Sequence, residues 1–165
     1  MRWSFVLSAL LACALAGGAH AQDVSGCGKF KWSIERERAL FATPKPLAAD
    51  GALDIGSAAY HVSLADGDKL AFPAPPERAP KAGTHGAVLS FKVATEGFYD
   101  VTLSDEGWID VVDHGQRIAS TDFSGQKACA GVRKSVRFSL KPGELVVQLS
   151  NIEPDAINIA IAPAP

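Results

Sequence analysis

The chain has 165 residues, 47% of them hydrophobic, and 16 Lys and Arg against 18 Asp and Glu, for a formal charge of −2. It carries no basic block and no Lys/Arg stripe, which argues against nucleic acid or an anionic membrane as a partner. The most basic stretch, Arg133 and Lys134 with Arg137, is short and reads as a solvated strand face.

Residues 1–21 read as a secretory signal peptide. Arg2 gives the positive n-region, residues 5–16 the apolar core, and Ala19-His20-Ala21 the small-x-small cleavage site. A rival reading makes Cys13 the lipidated cysteine of a lipoprotein signal. The apolar run is too short and too interrupted by Gly for a stable membrane span. Cleavage after Ala21 leaves 144 residues with a charge of −3, enough for one domain with a real core. Such a chain works in the periplasm or is secreted, where thiols oxidise. Only Cys27 and Cys129 remain there, so one disulfide is expected.

Residues 22–57 form an N-terminal segment and residues 58–162 a β-sandwich, with 22–165 making one globular unit. Residues 22–28 are polar and extended. Ser33 is a suitable N-cap and Glu35 favours a first turn, so residues 33–42 are predicted helical, stopped by Pro44 and Pro46. Residues 43–57 are a predicted loop. From Tyr60 the apolar period becomes two, with Tyr60, Val62 and Leu64 alternating with His61 and Ser63. Residues 65–68 turn, residues 69–72 are a short strand, and residues 73–80 are a Pro-rich surface loop.

The remainder is a run of alternating segments. Ala87, Leu89, Phe91 and Val93 share a face, as do Tyr99, Val101 and Leu103, and then Ile109 and Val111. A tight turn at residues 113–115 leads to a short strand at 116–119. Residues 120–131 read as a long loop carrying Cys129. Strands follow around Val136, Phe138 and Leu140, around Leu145, Val147 and Leu149, and around Ile157, Ile159 and Ile161. Eight or nine short strands punctuated by Gly and Pro predict an all-β fold: an antiparallel, jelly-roll-like β-sandwich with one short helix and one disulfide, each sheet wet on its outer side.

Catalytic chemistry finds little support. There is no G-x-S-x-G elbow around Ser124. His61, His85 and His114 stand alone, with no H-x-H or H-E-x-x-H spacing, in an outward strand position and two turns. The alternative function, a small metal-dependent enzyme of cupin-like type such as a dioxygenase, needs converging imidazoles and a carboxylate. No cofactor motif and no metal site is predicted. The Asp-rich turns at residues 65–68 and 104–107 lack the ligand spacing of a calcium loop, and Asp with Gly is ordinary turn chemistry.

The best binding candidate is Trp108 with Asp110. If Ile109 and Val111 face the core, Trp108 and Asp110 share the outer face, where an aromatic ring beside a carboxylate suits a sugar. The opposite phase buries Trp108 as a core anchor. Phe30, Trp32, Leu40 and Phe41 around the helix read as a docking face held to the sandwich by the disulfide, or else as a partner patch.

Residues 94–104, 108–112, 135–143 and 145–149 resemble the pre-peptidase C-terminal type of secreted bacterial β-sandwich, with its G-x-Y-x-V-x-L strand, its Asp strand and its L-x-P-G-x-Y hairpin. Glu144 and Leu145 stand where that hairpin has its aromatic residue. The resemblance covers roughly residues 88–161 and implies a jelly-roll-like, non-catalytic module. Cys27 to Trp32 with the helix lies outside that pattern and is similar to exported proteobacterial proteins from which no activity carries over. The expected function is an exported, non-catalytic binding or interaction module of the cell envelope, for a glycan or an envelope protein.

Overall fold

The computed structural model describes residues 26–165, so the signal reading of residues 1–21 lies outside the described residues. Alternating apolar side chains at 89–93, 99–103, 136–140 and 145–149 build two six-stranded sheets packed face to face. The strands are β1 (Lys45–Ala48), β2 (Ala52–Leu53), β3 (Tyr60–Ser63), β4 (Ala65–Asp66), β5 (His85–Val93), β6 (Gly97–Leu103), β7 (Trp108–Asp113), β8 (Gln116–Ile118), β9 (Ser120–Gly125), β10 (Lys134–Leu140), β11 (Gly143–Ile152) and β12 (Ala156–Pro163). One sheet has the order β1-β3-β12-β6-β10-β9; the other runs β2-β5-β11-β7-β8, with β4 also on β5. The fold is an all-β sandwich with one short helix, α1 (Glu35–Phe41), and a disulfide.

The core lies between the sheets. Leu89, Val101, Leu103, Leu140, Val147, Leu149 and Ile159 are each 0% exposed. This is the set that the two-residue period assigns inward, so the phase of every long strand is as expected. The turn at His114 and Gly115 has φ of 47° and 76° and joins Asp113 to Gln116, the two-residue geometry whose twist matches antiparallel strands.

Four local expectations are corrected. The loop at residues 43–57 contains β1 and β2, and both pair in parallel, β1 with β3 and β2 with β5. Pro46 masked β1, but β1 is an outer strand whose free side needs no N–H donor. The loop at residues 120–131 begins with β9, an edge strand on β10 whose Ser, Thr, Asp and Gly gave no apolar period. Residues 69–72 form no strand; a 3-10 turn, Gly67–Lys69, precedes them. The helix starts at Glu35 with Ile34 at its N-cap and no side-chain cap, although the Ser33 hydroxyl accepts the Glu35 N–H at 3.4 Å.

The wet outer faces are the fifth correction, because both sheets are partly roofed. On the first sheet, Asp100, Thr102 and Ser135 are 0% exposed although they point away from the core. The N-terminal segment covers them. Cys27 is bonded to Cys129, and Phe30, Ile34 and Val132 pack with that disulfide into a second small core, flanked by Trp32 and Phe41. Trp32 donates its indole N–H to Ser135 Oγ at 3.2 Å and lies 4.3 Å from the Arg137 guanidinium, which grips Asp100 through two hydrogen bonds of 2.7 and 2.8 Å. That ion pair holds the Arg137 guanidinium above its ordinary pKa. The Pro-rich loop roofs the second sheet, through hydrogen bonds of Ala74 and Glu77 to Gln148 and Asp110.

Candidate functional site

Ile109 and Val111 join the core, so Trp108 and Asp110 stand on the other face of β7. Their fates differ. Asp110 is 4% exposed, and its carboxylate is already engaged. Oδ2 accepts the Glu77 N–H at 3.2 Å and the Gln148 side-chain amide at 3.3 Å, and Oδ1 lies 3.7 Å from Arg117. Gln148 in turn donates to the Ala74 carbonyl at 3.1 Å. A buried carboxylate needs such partners. Asp110 therefore pins the Pro-rich loop to the sheet, and it does not lie open beside the ring as a sugar acceptor.

Trp108 is half-buried at the end of the sandwich, where β7 begins. The Arg78 guanidinium, carried on the pinned loop, sits 4.8 Å from the ring centroid, and the Lys134 ammonium sits 4.7 Å from it. Both are cation–π distances. Lys134 also donates to the Gly107 carbonyl at 3.0 Å, and burial lowers its pKa from the ordinary lysine value. Gly107 is tightly placed: a Cβ there would stand 2.8 Å from Ile152. The Trp108 indole N–H is buried with no hydrogen-bond partner among the described residues.

Two shallow recesses flank the ring. One, of about 360 Å³, opens between β7 and β9 and is lined by Arg78, Trp108, Ile109, Phe123, Lys134 and Val136. The other, of about 380 Å³, is bounded by Lys81, Glu106 and Asn151. Phe123 is 63% exposed at the rim of the first, with the Lys31 ammonium 5.6 Å from its ring. It is the register partner of buried Val136, but it stays exposed on the edge strand β9. Phe123, Arg78 and Lys134 were missed in the sequence because they lay in a presumed loop, a Pro-rich loop and a short basic run. Only the tertiary fold brings them to Trp108.

The histidines stand apart, each with a local partner. His61 bonds Asn158 Oδ1 at 2.8 Å, His85 the Glu153 carbonyl at 3.1 Å, and His114 Asp113 at 2.5 Å. One acid of each Asp-rich turn is engaged by a cation, Asp66 by Lys69 and Glu106 by Arg133. The Lys69 bond holds the Asp66 carboxyl below its ordinary pKa. Among the described residues no three His, Cys, Asp or Glu side chains group as a metal would require. Ser124 is buried, and its hydroxyl accepts the Lys31 N–H at 3.0 Å. No described helix is long and apolar enough to cross a membrane.

No family model and no curated protein matches the chain. Among solved structures, the chain is similar to the pre-peptidase C-terminal domain of a collagenase from Bacillus anthracis. The identity is 17% and the TM-score 0.42, over 72% of this chain and 98% of that one.

Proposed function

We propose that the protein is an exported, non-catalytic interaction module of the cell envelope. It holds its partner, a glycan or an envelope protein, at the open edge between β9 and the start of β7. The carrying observation is the exposed Phe123 ring beside the recess walled by Trp108, Arg78 and Lys134. A large exposed aromatic next to stacked cations is the composition of a binding surface, whose central contacts carry most of the affinity. The local partners taken by each histidine and by Ser124 support a structural reading of those side chains. Export is supported by the signal pattern of residues 1–21 and by the Cys27–Cys129 bond.

Co-sedimentation of the purified protein with envelope fractions of the producing cell tests this. Phe123→Ala should lower the bound fraction roughly tenfold, the size of a hot-spot loss. Phe98→Ala removes another exposed aromatic, at the opposite end of β6 from the recess, and should leave binding intact. Equal retention of both variants would defeat the reading.

A further inference from the structure

Resting on that reading, we propose that the recess takes a carboxylate-bearing sugar residue, a uronic acid in a glycan chain. The carboxylate meets Arg78 and Lys134, which both line the recess, and the sugar ring lies against Phe123. The charges at this end of the sandwich are unevenly matched. Arg133 is paired with Glu106, and Arg117 reaches Glu77 at 3.4 Å and Asp110 at 3.7 Å. Arg78 and Lys134 have no such partner: among the described residues neither has a carboxylate within 4.0 Å. Two cations converge on one indole with only its π face and one carbonyl to satisfy them. Both line the same recess, so an anion seated there makes charge-assisted hydrogen bonds to them.

The rim selects which anion. Glu77 belongs to the same recess, and Glu106 and Asp110 act on Lys134 from nearby. Their charge opposes a dianionic phosphate more than a singly charged carboxylate. The opposite wall is apolar, formed by Phe123, Ile109 and Val136, while Ser120 and Glu77 offer polar groups at its edge. A pyranose carries both kinds of surface, C–H groups on its face and hydroxyls around its rim. At about 360 Å³ the recess is at the small end of the range for ligand sites, which suits one residue of a chain that continues into solvent.

The probes are a galacturonic acid tetramer, its fully methyl-esterified form, and hexaglutamate, titrated into the purified protein and followed by the Trp108 indole resonance. The acidic tetramer should bind, and methyl esterification should weaken it at least tenfold. Arg78→Gln and Lys134→Met should each weaken it roughly tenfold, the size expected for a hydrogen bond between charged groups. Arg78 is exposed on a loop, so its variant folds, and a native far-UV spectrum with a cooperative melt for each variant confirms that the loss is local. Equal binding of the methyl ester would overturn the carboxylate while leaving a glycan-binding edge in place. Tighter binding of hexaglutamate would overturn the sugar and make the partner an acidic protein. Absence of binding by all three would overturn the inference alone, and with Phe123→Ala also silent in co-sedimentation it would remove the interaction edge itself.

Discussion

Arg137→Met tests whether the N-terminal segment is a structural roof on the first sheet. Asp100 is 0% exposed and gives both oxygens to Arg137, at 2.7 and 2.8 Å. Met keeps much of the Arg stem but leaves the carboxylate buried without its cation. Breaking a buried pair from one side costs about 3–5 kcal/mol. Losing the stack on Trp32, 4.3 Å away, adds about 0.5–1 kcal/mol. With a urea slope of about 2 kcal/mol per molar, the unfolding midpoint should fall by about 2 M. The double change Asp100→Leu with Arg137→Met removes both charges and should recover most of the stability. A loss below about 1 kcal/mol for Arg137→Met, or a double variant no better than the single, would refute the argument that this pair is buried under the roof.

The disulfide closes a separation of 102 residues, so replacing Cys27 and Cys129 by Ala should cost up to about 4–5 kcal/mol by chain entropy. Chemical denaturation with and without reductant measures this, and alkylation of non-reduced protein should label neither cysteine. His61→Ala, His85→Ala and His114→Ala should each cost under about 1 kcal/mol and leave the metal content of purified protein at background. Stoichiometric iron or zinc lost with any one of them would bring back the metal-dependent enzyme. Lys134 has its pKa lowered, so between that value and the ordinary lysine range the folded state holds fewer protons than the unfolded one. Its contribution to stability should therefore rise with pH across that window, and Lys134→Met should flatten this limb of the stability profile.

The inward side chains were legible because a period of two is a local property. Leu103, Phe138 and Leu149 could be placed without knowing which strand they would meet. The Cys27–Cys129 bond was legible from compartment and count alone. The edge strands were not. β1 carries Pro46, and β9 is polar because one side of it pairs with nothing. Such strands hold their register through β3 and β10, which a local window cannot see. The roofs were hidden for a related reason. Asp100, Thr102, Asp110 and Gln148 look like solvent-facing alternates, and they are buried only because residues 27–41 and the Pro-rich loop fold back over them. The same folding-back moved the candidate site. Trp108 kept its place on the outer face, Asp110 became the anchor of the loop, and Arg78, Phe123 and Lys134 arrived from distant sequence.

Site-specific photo-crosslinking in the producing cell asks whether the edge between β9 and the start of β7 is where this protein meets its partner. A photoreactive residue at Phe123 should give one dominant adduct with an envelope glycan or protein, and the adduct should diminish when Arg78 is replaced by Gln. The same residue at His61, exposed on the outer face of the first sheet, should give none. Adducts at His61 that match or exceed those at Phe123, or none at Phe123, would place the interaction surface elsewhere.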